Sequence, residues 1–285
     1  MSVPRGDYRL GTDSHAPMKQ LGKRNLLGVL IDALDYEGAV AKILQAATLR
    51  QPLGVTALAV HGVMTGARDR VHRHRLNSLD LVTPDGQPVR WALNIAHHTG
   101  LKDRVYGPTL MLRICKEAAS RGLAVYLYGS RREVVDTLAN SLKQQFLNLR
   151  IVGAEPSTFG TLTPDEKTAL IGRIRQSEAH ILFVGLGCPR QEVFVYETRG
   201  ALSLPVVAVG AAFDYHSGFR AEPPLWMQRA GLQWIHRLAQ EPGRLWKRYL
   251  FHNLAFLARF FLQVAGLKCP DPTDTDRPLH PLSLG

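Results

Sequence analysis

The sequence predicts an α/β fold: a mostly parallel sheet with flanking helices, followed by a C-terminal helical appendage. Three observations predict it. Short apolar runs recur along the chain, each followed by a glycine-containing loop and then a helical pattern. One of the intervening segments carries a complete helix-start signature. Past about residue 225 the strand-like runs stop and a long aromatic and aliphatic helical pattern takes over.

The elements follow in order. Residues 1–24 are polar, lack the apolar stretch of a signal peptide and read as a loose arm. GVTALAV at 54–60 is a strand leading towards HGVMTGARD. Leu79, Leu81 and Val82 enter a Pro84-Asp85-Gly86 junction, and Val89, Trp91 and Ala92 leave it. LAVYLYGS at 123–130 is a strand, and the segment after it sets Val134, Val135, Leu138, Leu142 and Phe146 on one helical face. A shorter strand covers 150–153. In the helix over 163–177, Thr163 is the N-cap, Pro164 occupies the first turn and Glu166 completes a capping box. HILFVGLG at 180–187 leads into CPRQEVFVYE, and PVVAVG at 205–210 into AAFDYHSG. The expected organisation is an arm (1–24), an α/β domain (25–225), the appendage (226–268) and a flexible tail (269–285).

Alternating strands and helices imply right-handed crossovers and ligand binding at the carboxyl ends of the strands. Those ends are the loops around Thr56, Asp85, 129–130, 185–191 and 210–214. Asp85 has two readings. As turn chemistry, Pro84 presets one backbone angle and Gly86 takes a positive φ. As functional chemistry, a carboxylate at a strand-to-helix junction is where α/β enzymes keep a catalytic group. GLGCPR at 185–190 has Arg190 where a dinucleotide fingerprint needs its third glycine, so a nucleotide-dependent oxidoreductase is disfavoured. What remains is a small-residue loop at a helix start, suited to phosphate or hydroxyl groups, with Gln191 and Glu192 beside it. Asp214 is a second strand-end carboxylate, and the nearby His216 has two readings, an acid/base partner or, the commoner case for a His in a Ser-Gly turn, a solvated side chain.

Thirty-five Lys and Arg against 24 Asp and Glu give a net charge of +11 and a pI near 9.9, which points to an anionic partner. Three widely spaced cysteines support neither a disulfide framework nor a zinc site. No stretch is long and apolar enough to span a membrane. Pro242 opens the last helix, whose aromatic and aliphatic residues follow a basic start (Arg244, Lys247, Arg248). That pattern suits a membrane-surface helix or a terminal helix packed on the core.

PDGQPVRWA, DRVYGPTLM, VYLYGS, ILFVGLGCPRQEVF, VVAVGAAFDYHSG and WIHRL/EPGRLWKRY occur in that order. The ordered set resembles the WecG/TagA/CpsF glycosyltransferases, glycosyltransferase family 26, over about residues 25–265. The resemblance implies a Rossmann-like fold of the GT-E type with a membrane-contacting appendage. It also implies inverting transfer of a hexosyl group from a UDP-sugar to a polyprenyl-diphosphate-linked sugar, with no metal and no cofactor. The setting implied is the cytoplasmic membrane face, in bacterial envelope or exopolysaccharide assembly. By motif, Asp85 would be the catalytic base, and Thr56, Arg104 and Gln191 would line the pocket. Gly129, Gly187, Arg190, Glu192 and Asp214 would complete the substrate site. Arg237, Arg244 and Arg248 would meet the diphosphate. Leu58 replaces the family's usual Asn, Arg190 its Lys and Gln233 its Glu. The loss of the Asn leaves glucose and an N-acetyl sugar both open as donors. The rival class is a nucleic-acid or anionic-surface binder, for which the basic cluster at 65–75 is the main support.

Overall fold

The computed structural model describes residues 18–158, 160–268 and 270–278, with backbone alone at 244, 245 and 247–250. The chain opens with a hairpin, β1 (Gln20–Leu26) and β2 (Val29–Leu34), paired antiparallel. Leu27 and Gly28 both take positive φ (55° and 87°), the geometry of a two-residue hairpin turn. Order therefore begins before residue 25, because Leu26, Val29, Ile31 and Ala33 bury their side chains against the sheet. Helix α1 (Tyr36–Thr48) starts at Asp35, whose carboxylate accepts the Gly38 N–H at 2.9 Å.

Then come β3 (Leu53–Leu58), α2 (Val60–Arg68), α3 (Arg70–Asn77), β4 (Leu81–Pro84), α4 (Gln87–His97) and α5 (Gly107–Ser120). They are followed by β5 (Ala124–Gly129), α6 (Arg132–Gln145), β6 (Arg150–Glu155), α7 (Pro164–Gln176), β7 (Ile181–Gly185) and α8 (Arg190–Thr198). β8 (Pro205–Ala208) and α9 (Ala212–His216) complete the sheet domain, and α10 (Leu225–Arg229), α11 (Gln233–Gln240) and α12 (Pro242–Val264) follow. The capping box of α7 is present: Thr163 Oγ1 accepts the Glu166 N–H at 3.2 Å, and Glu166 Oε2 accepts the Thr163 N–H at 2.8 Å.

Six strands form one parallel sheet in the order β4-β3-β8-β7-β5-β6. Both faces are covered, as such sheets require. Val55, Val125, Leu127, Phe183 and Val207 point to the layer of α1, α5, α6 and α9. Leu58, Tyr126, Leu182, Val184 and Val206 point to the opposite layer. The chain leaves β3 towards the β4 edge and later returns on the other side of β3 through β8. The carboxyl ends of these central strands thus bracket a topological switch point, where a crevice opens.

Helix α12 lies against α2, with Phe256 buried between them and the sheet layer. Gln263 fastens its far end: its Oε1 accepts the Leu27 N–H at 2.8 Å and its Nε2 donates to Asn25 O at 2.9 Å. The tail, expected to be flexible from 269, is instead tied down over 270–278. Asn25 and Asn77 donate side-chain hydrogen bonds to Pro270 O (2.8 Å) and Pro272 O (2.9 Å). Arg70 pairs with Asp274 and, at 3.0 Å, with Asp276.

Those contacts engage the basic cluster at 65–75. Arg73 is buried, and its guanidinium donates to three backbone oxygens: Gly66 O at 3.0 Å, Ala67 O at 2.9 Å and Asp274 O at 3.0 Å. Within the cluster, then, Arg70 and Arg73 serve the chain's own tail, which removes much of the support for a nucleic-acid face. Arg73→Ala strands the buried Gly66 carbonyl and frees the tail, and is expected to lower stability by about 1–3 kcal/mol. Denaturant unfolding checks this, and an unchanged midpoint would contradict it.

Candidate active site

A cavity of about 740 Å³ opens at the carboxyl ends of β3, β4, β7 and β8. Its walls come from the loops after those strands and from α11 and α12. Asp85, Arg104, Gly187, Arg190, Gln191, Glu192, Asp214 and Arg237 all line it, so residues far apart in sequence meet in one place. Arg244 and Arg248 lie outside the described side chains.

Asp85 follows β4 directly. Gly86 has φ −91° and serves as the N-cap of α4, so the segment is a strand-to-helix junction and the positive-φ turn does not form. Asp85 Oδ1 accepts the Gly107 N–H, 2.8 Å away, at the first residue of α5. The carboxylate therefore faces a helix N-terminus, where the backbone dipole favours negative charge. Burial nevertheless pushes its pKa above the ordinary carboxylate value, against the lowering effects of Arg104, the Gly107 N–H and Arg237.

Gly107 is required by close approach. A Cβ there would come within 2.9 Å of Val209 O and 3.3 Å of the Ala57 side chain. Gly107→Ala must push the start of α5, and with it the Asp85 support, away from β8. An overpacking cost of about 1–3 kcal/mol is expected, with a fall in activity larger than the fall in stability explains. Thermal unfolding beside kcat/KM measures both.

Arg104 sits above the Tyr106 ring, 4.2 Å from its centroid, and its Nη1 donates to Asp85 O at 3.2 Å. The same guanidinium bonds Gln233 and, at 3.3 Å, Gln228 Oε1, so it joins the sheet domain to α10 and α11. Tyr106 is fixed in turn: its N–H donates to the hydroxyl of Tyr36 at 3.0 Å.

Beneath the cavity, Glu192 is fully buried. Its Oε1 accepts from Thr56 Oγ1 at 3.0 Å and from Gln191 Nε2 at 2.9 Å. Burial raises its pKa, opposed by hydrogen bonds from Gln191, Thr56 and Cys188. Thr56 is thus a buttress under the wall and contributes no lining surface. Gly129 also stays off the wall. Its role is backbone proximity: with φ 135°, a Cβ would lie 2.6 Å from Gly185 O. Its neighbour Ser130 lines the cavity in its place, at φ 58°, with its N–H donating to Gly185 O at 3.1 Å. Gly187 takes φ 74° and its carbonyl accepts the Gln191 N–H at 3.0 Å as α8 begins. Arg190 stands at the rim and donates to Thr158 O (3.2 Å) and Gly160 O (3.0 Å).

His216, expected to be solvated, is instead bonded through Nε2 to Pro108 O at 2.9 Å. Burial lowers its pKa to about 4, against the lift from that bond, so it is a neutral donor near pH 7. Asp214 pairs with Arg220 at 3.3 Å, and Arg220 also lines the cavity. Arg220 is absent from the sequence-based site; it stands at the end of FDYHSGFR, where only a return of the chain to the cavity gives it meaning. Among the described residues, no three His, Cys, Asp or Glu side chains converge as metal ligands.

The arrangement pairs one carboxylate at a helix N-terminus with several arginines around a cleft. It can remove a proton from a hydroxyl while cations meet developing negative charge. The model of the glycosyl transferase WecG/TagA/CpsF family matches residues 24–269. The chain belongs to this family. A curated relative in Bacillus subtilis (strain 168), N-acetylglucosaminyldiphosphoundecaprenol N-acetyl-beta-D-mannosaminyltransferase, is 27% identical over 184 residues, covering 64% of this chain and 69% of its own. Membership makes the chain a glycosyltransferase.

Proposed function

We propose that the chain is an inverting hexosyltransferase that moves a hexosyl group from a UDP-sugar to a polyprenyl-diphosphate-linked sugar, without a metal ion. The observation that carries this reading is Asp85, held at the start of α5 and facing the same cavity as Arg104 and Arg237. Asp85 takes the proton of the acceptor hydroxyl as its oxygen attacks the anomeric carbon. The bond from that carbon to the UDP oxygen breaks, and inversion follows from the single displacement. Negative charge then grows on the leaving diphosphate, where Arg104, Arg237 and the N-terminus of α8 stabilise it. Arg190 at the rim, Gln191 and Glu192 in the wall, and Gly187 in the loop frame the donor. By the family motif, Arg244 and Arg248 are assigned to the acceptor's diphosphate. The relative's name contains both a mannosaminyl donor group and a polyprenyl acceptor, which supports an N-acetylmannosamine-type sugar as one candidate and leaves glucose as the other.

The acceptor is a lipid, and α12 offers a surface for it. Phe251, Leu254, Leu257, Phe261 and Val264 are exposed and spaced three or four apart, forming one outward stripe. Leu257 also reaches the cavity wall, so the stripe adjoins the mouth. No described helix is long and apolar enough to cross a membrane. Peripheral attachment to the cytoplasmic face, in envelope or exopolysaccharide assembly, fits this surface and the +11 charge.

The experiment is UDP release from a panel of UDP-hexoses, with a short-chain prenyl-diphosphate-linked sugar as acceptor and EDTA present. Acceptor-dependent release is expected, and the preferred donor names the sugar. Failure of every UDP-sugar either to react or to bind would overturn the reading.

A further inference from the structure

We propose that Arg220 is a positioning residue: it latches α11 across the cavity mouth so that Arg237 is presented towards Asp85. Four contacts point to this. The Arg220 guanidinium grips Glu241 as a fork, Nη1 to Oε2 at 3.1 Å and Nη2 to Oε1 at 2.9 Å. Its Nε lies 3.3 Å from Asp214 Oδ2, and its own N–H donates to Asp214 O at 3.0 Å. Next to it, Gln240 Nε2 donates to Ala221 O at 3.2 Å. Asp214 belongs to α9 in the sheet domain, whereas Glu241 ends α11 and begins α12.

The need for a latch follows from how α11 is held. It is eight residues long and none of them is buried. A helix that short does not persist alone in water, and α11 has no buried side chain to anchor it. It packs on α12 without burying any residue fully, so its ends supply much of its anchorage. At the start, Arg104 holds Gln233, and Gly231 (φ 72°) sits so close to Trp91 that a Cβ would come within 2.8 Å of the ring. At the finish, the Asp214–Arg220–Glu241 bridge does the holding. Arg237 lies between the two clamps and lines the cavity. The three bridged side chains are only 26–29% exposed, which gives a forked pair more value than a fully solvated one. On this account Asp214 is the sheet-domain jaw of the latch and is not a second acid or base.

The inference rests on the transferase reading only for its kinetic consequence; the latch itself is read from backbone exchange. Full-length protein is compared with Arg220→Gln, Glu241→Gln, the double variant and Arg220→Lys by amide hydrogen exchange. In Arg220→Gln, exchange over 233–240 is expected to rise by about tenfold or more while β5 and β7 amides stay protected. Glu241→Gln does the same, the double variant is no faster than the faster single, because the pair acts as a unit, and Arg220→Lys falls between. Transfer kcat is expected to drop about tenfold or more in Arg220→Gln with the UDP-sugar KM within about twofold. Unchanged exchange over 233–240 would overturn the latch, as would additive effects of the two singles. Lost UDP-sugar binding with α11 still protected would overturn it too, making Arg220 a ligand contact. If wild type transfers no hexose, the functional reading fails and the exchange pattern still decides the latch.

Discussion

Asp85→Asn is expected to lower kcat/KM by about 10²–10⁴-fold while leaving the protein folded and slightly more stable near neutral pH. The two effects have one cause. Asn keeps an oxygen to accept the Gly107 N–H, so the start of α5 has no reason to move. What is lost is the ability to take a proton from the acceptor hydroxyl. What is gained follows from the direction of the pKa shift. Burial is the largest influence on Asp85 and raises its pKa above the unfolded value. The native state then prefers the protonated carboxyl, and ionisation costs stability as pH rises from the ordinary carboxylate value to the raised one. Above both values the cost is constant; below the ordinary value it vanishes. The variant's advantage in unfolding temperature should therefore be present at pH 7–8 and shrink as pH falls towards the ordinary carboxylate range. Thermal unfolding at several pH values, beside UDP-release kinetics, checks both halves. A variant that is inactive and clearly less stable at pH 7.5 would show that Asp85 is structural.

The sheet was legible in the sequence because parallel strands buried on both faces leave continuous apolar runs, and each run found here ends within a few residues of its expected end. Helix α7 was legible down to its capping box, since Thr163, Pro164 and Glu166 act over one turn. The N-terminal hairpin was not. β1 (QLGKRNL) is polar over most of its length, and it is ordered by pairing with β2 and by tertiary contacts that no local pattern reveals. The tail was misread for a related reason. Its Pro, Asp and Thr content resembles a linker, yet its order comes from Asn25, Arg70, Arg73 and Asn77, nearly 200 residues or more earlier.

At the site, motif order marked Asp85, Arg104 and Gln191, but it could not say which side chains face the cavity. Thr56 and Leu58 point to the same face of β3. Burial beside Glu192 takes Thr56 out of the lining, while Leu58 reaches it. Gly129 sits beside a lining residue and owes its identity to the backbone of Gly185. Arg220 was invisible because its meaning depends on Asp214 and Glu241 together, a conjunction made by the fold.

Arg104→Gln should be the second most damaging single change, with about a 10²-fold loss of kcat/KM at pH 7 and a displaced pH profile. Besides facing the leaving diphosphate, Arg104 has three tasks: it donates to Asp85 O, it clamps α11 through Gln233, and its charge lowers the pKa of Asp85. Gln can replace some hydrogen bonding but none of the charge. With the cation gone, burial acts with less opposition and the Asp85 pKa rises further. The base must be ionised to work, so the acid limb of kcat/KM moves to higher pH and the deficit is larger at pH 6 than at pH 8.5. The residual deficit at high pH, where Asp85 is ionised in both proteins, measures what Arg104 does for the leaving diphosphate and for α11. Arg104→Lys restores the charge without the planar fork, so it should return the limb towards the wild-type position while recovering only part of the rate. A pH profile that keeps its shape in Arg104→Gln and merely scales down would show that the guanidinium does not tune Asp85, and would leave its roles at the leaving diphosphate and in clamping α11.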